Sequence, residues 1–153
     1  MSKISEGAPA PDFAMESAAG PIRLADFKGK TLVLYFYPKD DTTGCTTEGQ
    51  DFSALKAAFD KAGVTVVGAS KDSVKSHEKF AAKYGLTIPL GSDPEGRTIE
   101  SFGSWVEKKL YGREYMGIDR STFLIKDGVI KRIWRKVKVA GHAQAVLDAA
   151  KAL

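Results

Sequence analysis

The apolar positions of this chain fall into two rhythms, unbroken runs and helical spacings, separated by Gly- and Pro-rich punctuation. Residues 31–37, Thr-Leu-Val-Leu-Tyr-Phe-Tyr, are apolar without alternation, the pattern of a strand covered on both faces. Residues 64–70 repeat that pattern and predict a second buried strand. Between the two runs, Phe52, Leu55 and Phe59 recur at helical spacing. A helix is therefore expected over residues 45–62, stopped by Gly63. Asp72 or Ser73 is placed to cap a further helix running to Tyr84 and ended by Gly85. A short third strand is expected at residues 87–90. A short helix follows from Asp93 through Glu100 or Phe102, with Pro94 in its first turn. Residues 121–125 and 129–134 flank Lys126-Asp127-Gly128, and Asp-Gly between two such runs predicts a hairpin. Residues 141–153 close the chain as a helix with Ala143, Val146, Leu147 and Ala150 on its apolar face.

Two stretches carry less signal. Pro9 and Pro11 bar a helix near the start, so residues 1–11 read as an extended arm. Residues 13–16 and 22–24 suit a small hairpin around the turn-rich 18–21, and residues 24–27 a helical turn. Residues 103–115 are the least patterned, and read as an insertion with a short strand around Trp105. The order of elements implies early parallel βαβ units and a late antiparallel hairpin. The expected product is an α/β fold, a mixed central sheet flanked by helices, in a single domain spanning residues 1–153.

Composition narrows the classes. The chain has 153 residues, enough for one domain with a real core, and a net charge of +4, too mild for a dedicated nucleic-acid binder. The basic run from Lys131 to Lys138 admits a nucleic-acid reading, but an edge strand guarded by Lys and Arg is the simpler account. No run suits a membrane span, and the first residues lack the apolar core of a secretory signal. A single cysteine, Cys45, excludes an internal disulfide and fits a reducing, cytoplasmic setting. His77 and His142 do not make a metal pair; His77 reads as a surface or boundary residue and His142 as part of the last helix's first turn. Trp105 and Trp134 read as core or boundary aromatics, and no phosphate-binding glycine loop occurs.

Cys45 lies where a buried strand hands over to a helix N-terminus. Unpaired N–H groups and the positive end of the helix dipole favour a thiolate there, the form that acts as a nucleophile. An ordinary cysteine, with pKa about 8.5, is mostly thiol at neutral pH. The loop before it, Pro38-Lys-Asp-Asp-Thr-Thr-Gly-Cys45, holds the pattern P-x-x-x-T-x-x-C. With the preceding Tyr35-Phe-Tyr-Pro38, this resembles the peroxiredoxin family, most closely its bacterioferritin comigratory, or Q-type, subfamily. The resemblance extends to residues 7–13, 117–123 and 135–142.

That resemblance implies a thioredoxin-like fold and a thiol-dependent peroxidase, in which Cys45 reduces hydrogen peroxide or small alkyl hydroperoxides by way of a sulfenic acid. It assigns Arg120 as the distant arginine folded back on Cys45. Its alternative is an ion pair with Asp119 or Glu114. Thr42 is expected to hydrogen-bond the peroxide, or else to be only a turn or N-cap residue. Pro38 is expected to shield the sulfur, or else only to end the strand. The N–H groups of Gly44 and Cys45 are placed to stabilise charge on the departing oxygen. Glu48 is a secondary substrate-binding candidate, alternatively a plain first-turn carboxylate. No metal, flavin or haem cofactor is implied.

The chain departs from the subfamily at the positions where a second, resolving cysteine stands in many members, here Gln50 and Ala81. Two origins remain open, a one-cysteine enzyme and an engineered loss. Either way the sulfenic acid needs an external thiol, be it thioredoxin, glutaredoxin or a small thiol, and Cys45 is more open to over-oxidation. A monomer is expected by resemblance, while exposed apolar residues around Trp105 leave a dimer as the alternative. The competing function is a peroxide sensor or thiol-exchange protein with little turnover.

Overall fold

The computed structural model describes residues 4–153. Its centre is a five-stranded sheet. In chain order its strands are β3 (Thr31–Phe36), β4 (Val64–Ser70), β5 (Leu90–Ser92), β8 (Ser121–Lys126) and β9 (Val129–Trp134). The spatial order is β5-β4-β3-β8-β9, parallel between β5, β4 and β3 and antiparallel from β3 outward to β9. Two small antiparallel hairpins stand apart, β1 (Ala14–Met15) with β2 (Ile22–Arg23), and β6 (Trp105–Leu110) with β7 (Arg113–Ile118). The helices are α1 (Thr43–Ala54), α2 (Lys56–Lys61), α3 (Val74–Tyr84), α4 (Arg97–Ser101) and α5 (His142–Lys151). A 3₁₀ turn occupies Leu24–Phe27. Among the described residues no helix is long and apolar enough to cross a membrane.

The unbroken apolar run of β3 is explained by its central place. Val33, Tyr35 and Tyr37 face one core with Cys45, Phe52, Phe59, Phe80, Val146 and Leu147 from α1, α2, α3 and α5. Leu32, Leu34 and Phe36 face a second core with Phe13, Met15, Ile99, Phe102 and Phe123. Alternate side chains of one strand thus enter opposite apolar layers, and both must be hydrophobic.

Several boundaries differ from expectation for local reasons. The helix before Gly63 begins two residues earlier and is interrupted at Leu55 (φ −96°, ψ 3°), giving α1 and α2. The third strand starts at Leu90, not residue 87. Pro89 has no N–H for the ladder, and only its carbonyl is used, by Gly68 N at 3.1 Å. Residues 93–96 form a turn, with Gly96 at φ 75°, and α4 starts after it, at Arg97; Asp93 reaches forward to accept from Ile99 N at 2.8 Å. The stretch expected to hold one short strand is a full hairpin, β6–β7, turned by Tyr111 and Gly112 at φ 53° and 75°. Most of it is exposed on both faces, so no apolar alternation marks it. The Asp127-Gly128 hairpin forms as expected, both residues at positive φ. β9 is the sheet's outer strand, with Lys131 and Arg132 exposed, and residues 7–10 run beside it. The expected arm over residues 1–11 is thus laid against β9 in its described part; residues 1–3 lie outside the described residues.

Gly68 marks a tight point in the first core. A Cβ there would lie 2.7 Å from Tyr35 Cζ, and the Tyr35 ring is itself stacked on Phe52 at 4.6 Å between centroids. Gly68→Ala is expected to cost about 1–3 kcal/mol through overpacking, read as a lower urea midpoint with an unchanged slope.

Candidate active site

The loop between β3 and α1 is held from beneath by a buried hydrogen-bond knot. Asp40 accepts from Tyr37 Oη at 2.6 Å and from Ser76 Oγ at 2.7 Å, and its Oδ2 lies 2.7 Å from His77 Nδ1. His77 Nε2 lies 3.1 Å from the Gly91 carbonyl. The Asp40 N–H donates to Asp72 Oδ2 at 2.8 Å, which Ser70 also reaches. Burial alone raises the Asp40 carboxyl. The bonds from His77, Tyr37 and Ser76 outweigh it and leave the group below its ordinary range. His77 is therefore a buried structural group, not the surface or boundary residue its position suggested. Beside it, Asp41 takes a left-handed conformation, φ 59°, held by Lys83 and the Tyr84 hydroxyl.

This loop delivers the chain to Thr42, the residue that precedes α1 with extended dihedrals. Cys45 is the third residue of the helix, in the first turn where backbone N–H groups are free, and is 2% exposed. Glu48 follows by three residues on the same buried face, 1% exposed.

The cation comes from the start of the strand paired with β3. Arg120 belongs to the two-residue link between β7 and β8, and the backbone pins it on both sides. Its carbonyl accepts from Val137 N at 2.9 Å, while Asp119 accepts from Lys136 N at 3.2 Å. Arg120 Nη2 donates to Cys45 Sγ at 3.4 Å and Nη1 to Glu48 Oε1 at 2.7 Å. Gly44 makes room for it, since a Cβ there would stand 3.1 Å from Nη2. The alternative ion pairs are not taken, because Glu114 pairs with Lys109 and Asp119 serves the backbone. Burial weakens the Arg120 cation, but Glu48 and Cys45 more than offset this, and its pKa is raised. Burial pushes the Glu48 carboxyl up to about 7, against the pull of Arg120.

Of the residues singled out from the sequence, Cys45, Arg120, Glu48 and Gly44 therefore come together. Thr42 and Pro38 lie on the approach loop. The Thr42 hydroxyl donates to the Lys39 carbonyl at 2.9 Å, and half-buried Pro38 stands two residues past the end of β3. The sequence did not point to the Asp40–His77 knot, nor to a second buried pair, Thr122 Oγ1 and His142 Nε2 at 2.7 Å. His142 is the first residue of α5, as expected, and its ring meets Phe52 and Trp134 edge to face. Their only sequence signal is a polar residue inside an apolar run, Thr122, beside a histidine at a helix start.

A buried thiol at a helix N-terminus after the first central strand, faced by a guanidinium from the link entering the neighbouring strand, defines a candidate thiol site on a thioredoxin-like fold. Residues 7–133 match the AhpC/TSA family. Peroxiredoxin Bcp of Xanthomonas campestris is 56% identical over 125 residues, 81% of this chain and 78% of that one. Peroxiredoxin Bcp of Bacillus subtilis is 45% identical over 150 residues, 97% and 96% of the two chains. Among solved structures, Xanthomonas campestris peroxiredoxin Q superimposes with a TM-score of 0.87 at 51% identity, covering 92% of this chain and 90% of that chain. A mutant of Xylella fastidiosa PrxQ gives 0.91 at 42% identity, covering 99% and 98%. A further structure of the Xanthomonas bacterioferritin comigratory protein, a trapped intermediate/ligand complex at 50% identity, concerns that protein's alkyl peroxide reduction activity. The chain belongs to the peroxiredoxin family, in its bacterioferritin comigratory (Q-type) branch.

The buried His142 gives a pH test. Burial, with Arg120 adding to it, lowers its pKa to about 4. The unfolded value is near 6.5, so the unfolded chain binds more protons in between, and stability is lost as pH falls from about 6.5 toward 4. The urea-unfolding free energy of the wild type is expected to drop between pH 7.5 and pH 5 by about 1–2 kcal/mol more than that of His142→Gln.

Proposed function

We propose that this chain is a thiol-dependent peroxidase, reducing hydrogen peroxide and small alkyl hydroperoxides through Cys45. The observation that carries the reading is the Arg120 guanidinium donating to Cys45 Sγ at 3.4 Å, at the first turn of α1. A fixed cation and free helix N–H groups both favour an anionic sulfur, and the same groups suit the charge that moves onto the peroxide's far oxygen during attack. In this reading the Gly44 and Cys45 N–H groups face that oxygen. Gly44, lacking a side chain, also lets Arg120 approach. The Thr42 hydroxyl, donating to Lys39 O, keeps its lone pairs for the peroxide O–H. Pro38 closes the approach to bulk water with a ring that has no N–H to solvate.

The chain has one cysteine, and Gln50 and Ala81 stand where relatives of this branch can place a second. The sulfenic acid formed on Cys45 is therefore reduced by a thiol from outside, whether thioredoxin, glutaredoxin or a small thiol. Cys45, Arg120 and Glu48 all come from one chain, which supports action as a monomer. Dependence on an external thiol fits the reducing cytoplasm.

The test is peroxide consumption with dithiothreitol, together with the mass of Cys45 after one turnover. Cys45→Ser is expected to abolish consumption, and Arg120→Ala to slow Cys45 oxidation by about a hundredfold. Without thiol, excess peroxide is expected to drive Cys45 to the sulfinic acid. Undiminished turnover in Cys45→Ser contradicts the reading.

A further inference from the structure

Reduction of a hydroperoxide RO–OH by a thiolate makes the S–O bond and breaks the O–O bond. The sulfur is oxidised to the sulfenic acid, and both electrons of the broken bond leave on RO⁻. That anion is a poor leaving group in a site shut off from water, unless it is protonated as it departs. The thiol proton must also go somewhere before attack begins.

Among the described residues, one buried carboxyl shares the sulfur's guanidinium. Glu48 lies one helical turn from Cys45, and both touch the same guanidinium, Oε1 at 2.7 Å and Sγ at 3.4 Å. The other carboxylate oxygen, Oε2, is buried and has no hydrogen-bond partner among the described residues. A bare carboxylate oxygen in that position is costly, and a neutral hydroxyl there, although it also lacks a partner, costs less. One fixed positive charge therefore faces two groups that can each carry a negative charge.

We propose that Glu48 is the proton carrier of peroxide reduction, taking the proton from Cys45 Sγ and delivering it from Oε2 to the departing oxygen. This rests on Cys45 being the peroxide-reactive sulfur. The cycle balances: Cys–SH and Glu–COO⁻ give Cys–S⁻ and Glu–COOH. These with ROOH give Cys–SOH, ROH and Glu–COO⁻, the peroxide being the oxidant. Burial holds the Glu48 carboxyl at about 7, where it both accepts and releases a proton near neutrality. The other groups that act on it are Arg120, Asp51 on its own helix and Tyr35 from β3. Burial raises the Tyr35 hydroxyl well above its ordinary value, which removes it as the donor. His142, beyond Arg120 on α5, is held neutral.

Glu48→Gln keeps the shape and an oxygen for Arg120 but has no proton to transfer. Single-turnover oxidation of Cys45 is compared for peracetic acid, whose leaving group is a stable carboxylate, and for hydrogen peroxide and tert-butyl hydroperoxide, which leave as hydroxide and alkoxide. The variant is expected to lose about a hundredfold with the last two and no more than about threefold with peracetic acid. In the wild type, the ratio of the tert-butyl hydroperoxide rate to the peracetic acid rate is expected to fall as pH rises through about 7. An equal loss on all three peroxides, or none, overturns the proposal, and the first of these leaves Glu48 as an anchor for Arg120 alone. A ratio flat with pH also overturns it, and needs no variant. Wild-type Cys45 inert to all three would instead defeat the peroxidase reading.

Discussion

One guanidinium spans two acidic groups at the start of α1, and most of the chain's architecture serves that contact. Arg120 must leave water to make it, and a cation so placed is tolerated only with partners in good geometry. Glu48 and Cys45 supply them. The Val137 and Lys136 backbone bonds fix the link that presents Arg120, and the absent side chain of Gly44 clears its path. Each feature is unremarkable alone. Together they bring residues 75 apart in sequence within hydrogen-bonding range.

The sheet gives the contact its rigidity. β3 and β8 are neighbours in the centre, so the loop leaving β3 and the link entering β8 meet at one end of the same antiparallel pair. Phe36 pairs with Ser121, one residue from Arg120. The Asp40–His77 knot then ties the cysteine loop to α3, and Asp41 holds a strained conformation by bonding to Lys83 and Tyr84. A site built on paired strand ends and a buried polar knot has little freedom to drift, which suits a reaction needing close alignment of sulfur and oxygen.

The parts legible in the sequence were those with a dense local signal. The unbroken run of β3, the Asp-Gly hairpin and the helical spacing of the last helix each encode their own geometry. The loop motif singled out Cys45, and the resemblance named Arg120, which spacing alone never reaches and which the fold brings to the sulfur. The β6–β7 hairpin escaped because an exposed two-faced ribbon has no buried side to mark it. Pro89 misled because the strand begins just after it. His77 was misplaced because burial of an imidazole depends on partners, Asp40 and Gly91, that only the fold brings near. The second role of Gly44, making space, is invisible until the guanidinium is seen against it.

The proposed chemistry requires the Arg120 guanidinium to favour the anionic form of the sulfur it touches. The direct measurement is the ultraviolet absorbance of the thiolate at neutral pH, taken for the wild type and for Arg120→Gln, with Cys45→Ser as blank. A clear thiolate band is expected in the wild type and is expected to be largely lost in Arg120→Gln. Equal bands in both proteins, or none in either, would contradict that requirement.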